Sequence, residues 1–253
     1  MKETKYYNAK ITHGKVITEI RVYDSIKQSG YKIVNRRRVP RKNTKASRIR
    51  SNQRAKMRIL SLIPENFTDH NLCFITLTFK ENLQLPKVAN KALTSFIRKL
   101  RRAPELTNDL RYIAVPEVQK RGAIHFHIVT NISDYIPYEN LVKYWTRSID
   151  QNSEILEKGG YIKIKRYEGR NVQDIAVYLS KYLTKSGNFT EIFNGQKIYM
   201  TSRNLKRPAV STLMVNSPST LAYLPELAHK KLIAESSYLN PYTQKAIHYY
   251  KYQ

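Results

Sequence analysis

Apolar residues recur along this chain with a period of two in some stretches and about 3.6 in others, and the switches mark its elements. In 6–23, Ala9 and Ile11 alternate with polar residues. After a turn at His13-Gly14, Val16, Thr18, Ile20 and Val22 share a face, which predicts a β-hairpin. From about Lys45 the pattern turns helical, with Arg48, Arg54 and Arg58 interleaved with Ile49, Met57, Leu60 and Ile63 before Pro64. Residues 72–79, β-branched and aromatic without Gly or Pro, predict a buried strand. Pro86 opens a helix to about residue 102, its apolar face made of Val88, Ala92, Leu93, Phe96 and Leu100. Strands follow at 111–118 and 123–130, joined by Lys120-Arg121-Gly122 as an antiparallel hairpin. A helix at 138–147 carries Trp145 as a core anchor, and 161–165 is a further alternating strand.

This order, β-α-β-β-α-β, predicts an α+β fold with a ferredoxin-like split arrangement and an antiparallel sheet. One more helix follows, N-capped by Asn171 and closed by Gly187. Residues 196–200 read as a strand and the remaining tail as mixed helix and loop. The expected organisation is an N-terminal hairpin and basic arm over 1–64, a catalytic domain over 65–210 and a C-terminal extension over 211–253.

Chemistry enters at His125 and His127. One residue apart on a strand, they project from the same face while Phe126 takes the other. A His-x-His strand is either a polar face turned into a cleft or half of a metal site. Glu117, on the preceding strand, can fold back beside His125 across the turn; it can equally pair with Lys120 or Arg121. A carboxylate with two neutral imidazoles makes a three-ligand site with open positions. On the last core helix, Val172, Ile175, Ala176, Leu179 and Leu183 form the core stripe. Tyr178, Lys181, Tyr182 and Lys185 form a second stripe at i, i+3, i+4, i+7. That stripe is either a half-exposed surface with snorkelling lysines or a set of oxygen nucleophiles beside cations. Joined to a cation at the histidines, a tyrosine attack on DNA would leave a phosphotyrosine and a free 3′-hydroxyl.

Charge narrows the partner. Forty-five Lys and Arg face 19 Asp and Glu, a formal net charge of +26. Such a field draws polyanions, and nucleic acid is the favoured one. Between 25 and 64 there are 13 Lys and Arg and no acid. Arg36, Arg37, Arg38 and Arg41 form a loop and Arg48, Arg54 and Arg58 a helix suited to phosphate contact, unless the segment is only a solvated arm. Cys73 is the single cysteine, expected as a small buried strand residue; no disulfide forms within the chain, and a reducing cytoplasm is the natural setting. No apolar run reaches the roughly 18 residues of a membrane span, and no signal peptide is evident.

His125-Phe126-His127 followed by Tyr178-Leu179-Ser180-Lys181-Tyr182-Leu183-Thr184-Lys185 resembles the HUH endonucleases, above all the rolling-circle replication initiators of small single-stranded DNA phages and related plasmids. Phe74-Ile75-Thr76-Leu77-Thr78-Phe79 is similar to their first motif. Glu117 with Arg121-Gly122-Ala123-Ile124-His125-Phe126-His127 resembles the second, and the doubled Tyr-x-x-Lys the two-tyrosine branch. Ser202-Arg203-Asn204-Leu205 and Pro208 are similar to a segment found after the catalytic helix. The resemblance spans about 45–210. It implies a five-stranded antiparallel sheet carrying the histidines, with His125, His127 and Glu117 as ligands of Mg²⁺ or Mn²⁺. Tyr178 and Tyr182 would be nucleophiles, Tyr178 first, assisted by Lys181 and Lys185; Arg121 and Arg203 join the DNA contacts. It also implies single-stranded or hairpin origin DNA as substrate, in a bacterial host cell. No Gly-x-x-x-x-Gly-Lys signature follows, so a host helicase and polymerase are expected partners. Other classes remain open: a conjugative relaxase or transposase of the same chemistry, or a non-catalytic basic nucleic-acid-binding module.

Overall fold

The computed structural model describes residues 5–30, 45–106, 109–132, 136–166, 171–183, 193, 196–240 and 243–253. In chain order the elements are β1 (Lys5–His13), β2 (Thr18–Ser29), α1 (Lys45–Asn66), β3 (Cys73–Phe79), α2 (Pro86–Arg101), β4 (Tyr112–Val118) and β5 (Ile124–Thr130). They continue with α3 (Tyr138–Asp150), β6 (Gly160–Arg166), α4 (Val172–Lys181), β7 (Met200–Thr201) and β8 (Ala209–Leu213). Two 3₁₀ turns, Pro218–Tyr223 and Pro225–Leu227, precede β9 (Leu232–Leu239) and β10 (Ala246–Tyr252). Two compact units result: a central one, Asn43–Lys206, and a terminal one made of Met1–Lys42 with Arg207–Gln253. The divisions fall at 42/43 and 206/207 rather than at 64 and 210, because α1 packs on α4 and the segment after residue 207 supplies strands to the N-terminal hairpin.

The central sheet runs β6-β3-β5-β4-β7, antiparallel throughout, the ferredoxin-like order with β7 added at one edge. Side-chain alternation divides its core in two. Cys73, Ile75, Leu77, Ile124, Phe126 and Ile128 face α2 and α3, where Trp145 is fully buried against Phe79 and Phe96. The Trp145 indole donates to the Thr78 carbonyl at 2.9 Å. Gly160 permits this approach: a Cβ there would stand 2.7 Å from the indole nitrogen and 2.3 Å from the Thr78 oxygen. On the opposite face Phe74, Ile113, Val115 and Val129 meet α1 and α4.

Helix α1 turns Ala55, Ile59, Leu62 and Ile63 inward, whereas Ile49 and Met57, paired with the core in the sequence reading, are 48% and 41% exposed. The inward set keeps i, i+4, i+7, i+8 spacing, one true helical face. Asn66, at its end, donates to the Lys206 carbonyl and accepts from the Lys206 N–H at 2.8 and 2.7 Å. Ser202 exchanges backbone hydrogen bonds with Tyr112, and Asn204 reaches the Leu110 carbonyl. The Ser202–Leu205 segment therefore fastens the chain to the sheet edge.

The terminal sheet runs β8-β1-β2-β10-β9. Where mixed helix and loop were expected in the tail, it carries three strands and only short 3₁₀ turns. β9 is exposed along its whole length and lacks the alternation that would have betrayed it. No helix among the described residues is long and apolar enough to cross a membrane.

Candidate active site

The β4–β5 hairpin sets the register on which the site depends. Gly122, at φ +86°, makes the turn: its N–H donates to the Gln119 carbonyl and the Gln119 N–H to the Ala123 carbonyl. Pairing then puts Glu117 directly opposite His125 and Val115 opposite His127. Directly opposed residues share a face, so Glu117 and both histidines point to the α1/α4 side while Phe126 is buried on the other.

Both imidazoles are buried, at 8% and 5% exposure. In its neutral form His127 has both nitrogens engaged: Nε2 donates to Glu117 Oε2 at 2.7 Å, and Nδ1 accepts from the Thr76 hydroxyl at 3.2 Å. His125 differs. Its Nδ1 faces the Gln119 amide at 3.1 Å, but its Nε2 is buried without a hydrogen-bond partner. Burial pushes the His125 pKa below the ordinary value, against the opposing pull of Glu117, so the ring is neutral at neutral pH. A neutral imidazole with an unmatched nitrogen is a ligand in waiting. Among the described residues, no three His, Cys, Asp or Glu side chains stand ready-arranged around a metal position; Glu117 and His127 instead bond to each other.

Helix α4 brings the phenols. Asn171 caps it, accepting from the Gln173 N–H at 2.9 Å. Tyr178 is 41% exposed and packs its ring 5.5 Å from that of Phe74. Tyr182 is 6% exposed and stacks on His127 with ring centroids 3.8 Å apart and planes 19° from parallel. The Tyr182 hydroxyl donates to the Tyr178 oxygen at 2.6 Å. The sequence stripe thus divides: Tyr178 and Lys181 stay outside, Tyr182 goes in. The helix ends at Lys181, and Tyr182 and Leu183 bond three residues back, at 3.3 Å each. This tighter winding turns Tyr182 about 20° toward the Ile175–Leu179 stripe.

Lys185 and the loop arginines Arg36, Arg37, Arg38 and Arg41 lie outside the described residues. Arg54, Arg58, Arg121 and Arg203 are exposed and Arg48 half-buried. Four residues beside the site went unremarked in the sequence. Thr76 and Gln119 hold the histidine rings. Lys163 and Lys165 of β6 are exposed and sit opposite Thr76 and Phe74, adding two cations to the same sheet face. Strand parity was the available signal: each is an even number of residues from a neighbour already assigned to that face.

The fold and site define a ferredoxin-like α+β protein with a carboxylate, two histidines and two tyrosines gathered on one sheet face. Residues 72–187 match the family model described as replication-associated protein, ORF2 type, a span that holds all five. The match supports a replication-initiator class. No curated protein and no solved structure matches.

Proposed function

We propose that the chain is a metal-dependent, origin-specific single-stranded DNA endonuclease and strand-transferase that starts rolling-circle replication. The observation that carries this reading is the meeting of Glu117, His125 and His127 with a phenol pair 2.6 Å apart, one ring stacked on a histidine and the other open to solvent. Tyr178 is the accessible nucleophile. Its oxygen bonds to phosphorus, the bond from phosphorus to the 3′-oxygen breaks, and that oxygen leaves as a hydroxyl, one proton departing the phenol and one reaching the leaving group. The 5′-phosphate stays on the tyrosine, so attack by a 3′-hydroxyl reverses the step and rejoins a strand. Tyr182, hydrogen-bonded to the first phenol, is placed for a second transfer.

His125, His127 and Glu117 would hold Mg²⁺ or Mn²⁺, which when bound polarises the scissile phosphate and offsets charge on its oxygens. The donor set fits: His125 offers its unmatched Nε2, and Glu117 and His127 become donors once their mutual hydrogen bond opens. Thr76 and Gln119 keep the rings oriented from behind. Lys181, Lys185, Lys163 and Lys165 offset phosphate charge at the site. Arg36, Arg37, Arg38, Arg41, Arg48, Arg54, Arg58, Arg121 and Arg203 grip the DNA backbone, single-stranded or extruded as a hairpin. Unwinding and synthesis fall to a host helicase and polymerase in the bacterial cytoplasm.

The test incubates candidate origin strands with the protein and Mn²⁺ and reads covalent adduct on a denaturing gel. Adduct should form, vanish with EDTA, and vanish in the Tyr178→Phe, Tyr182→Phe double variant. Adduct persisting in the double variant would overturn the nucleophile assignment; indifference to EDTA would overturn the role of the ion.

A further inference from the structure

The terminal sheet has two faces, and its own core uses one. Ala9, Ile11, Ile20, Val22 and Tyr250 pack there with Val215 and Leu221. The strand partners one residue along define the other face. Lys10 stands opposite Arg21 and Arg21 opposite Tyr249; Tyr23 and Tyr238 both flank Ile247, and Lys251 lies opposite Glu19. None of these side chains belongs to a buried cluster.

Cations and rings interleave on this face. The Arg21 guanidinium lies 5.4 Å from the centroid of Tyr249, and the Lys27 ammonium 5.3 Å from that of Tyr23. Tyr7 meets Tyr23 edge-on at 6.4 Å. Glu19 is the single acid among the described strand residues of the face, and Arg21 pairs with it at 3.2 Å. Hydrophobic docking of a protein would want an apolar patch, and Ile247 beside Val210 is a poor one. Duplex DNA hides its base faces in its own stack. Rings alternating with cations across neighbouring strands suit a chain that offers both naked base faces and phosphates.

We infer that this sheet face is a platform for single-stranded nucleic acid, on which Tyr23, Tyr238 and Tyr249 stack with bases while Lys10, Arg21 and Lys251 meet phosphates. It is independent of the nicking chemistry: it needs neither Tyr178 nor the histidines.

The test therefore uses the full chain carrying Tyr178→Phe and Tyr182→Phe, in EDTA, with fluorescent oligo(dT) and oligo(rU) followed by anisotropy. Tyr238→Ala should weaken binding about tenfold. Lys10→Gln with Lys251→Gln should flatten the salt dependence by about two phosphate contacts. Photocrosslinking with halogenated uracil should label peptides containing Tyr23, Tyr238 or Tyr249. Loss with either oligonucleotide supports the platform, and the tighter binder names its source as DNA or RNA. Unchanged affinity in variants with wild-type circular dichroism would overturn the platform, as would crosslinks confined to 43–206. Competition by poly-glutamate as effective as by oligo(dT) would reduce the face to charge alone and overturn stacking.

Discussion

At the residue scale, Tyr178 and Tyr182 have the same side chain and unlike surroundings. One is open to a phosphate; the other forms part of the wall behind His127. Single substitutions should separate them. Tyr178→Phe is expected to abolish the first cleavage, scored as adduct from a full-length strand. Tyr182→Phe keeps its ring stacked on His127 and should still cleave once while failing to transfer a second strand, at a stability loss of about 1 kcal/mol for the missing hydroxyl bond. If Tyr178→Phe cleaves a full-length strand normally and Tyr182→Phe does not, their order is reversed. The histidine pair was legible in the sequence because a strand leaves only one geometry for residues two apart. The fate of Tyr182 was not, because an ideal wheel at 100° per residue ignores how a helix end tightens.

At the element scale, the β4–β5 turn aligns the ligands. Gly122 has a positive φ, and a Cβ on it would stand 2.8 Å from Gln84 Cδ, whose amide already holds the Arg121 carbonyl. Gly122→Ala should cost about 1–2 kcal/mol in denaturant unfolding and reduce adduct yield further than that loss alone explains, since strain in the turn is relieved by displacing Glu117 from His125. Adding Gln84→Ala frees space but not the φ, so it should recover only part of the loss; full recovery would mean that crowding, not backbone conformation, makes the glycine necessary. Turn length and strand alternation made this hairpin readable in advance. The buried face of α1 was less so: Ala55 and Leu62 point inward and Met57 outward, and a helix rich in arginine leaves several candidate stripes until α4 is there to choose one.

At the scale of the whole molecule, the two units should respond differently to alkali. Burial raises the pKa of Tyr23, Tyr249, Tyr250 and Tyr252 in the terminal sheet, with Glu19 adding to it at Tyr249 and Glu235 at Tyr250 and Tyr252. In the central unit Tyr112 and Tyr144 are raised as well. Below about pH 10 both folded and unfolded chains keep these phenols neutral, so the stability is whole. Above it the unfolded chain ionises first, and stability drains away as pH climbs toward the folded values. With four such phenols against two, the terminal unit should open first, seen as cleavage within 1–42 or 207–253 during limited proteolysis at rising pH. Earlier cleavage within 43–206 would contradict this. The terminal sheet was also the least legible part of the chain, since β1 finds β8, and β2 finds β10, across some two hundred intervening residues, where local pattern carries no information. That pairing has a consequence for synthesis. As the chain leaves the ribosome, the central unit has every strand it needs once residue 206 is out, while β2 waits for a neighbour made almost at the end. Until β10 arrives, the nascent N-terminal hairpin has an open flank, and the order of birth of the two units is the reverse of the order in which their sequences begin.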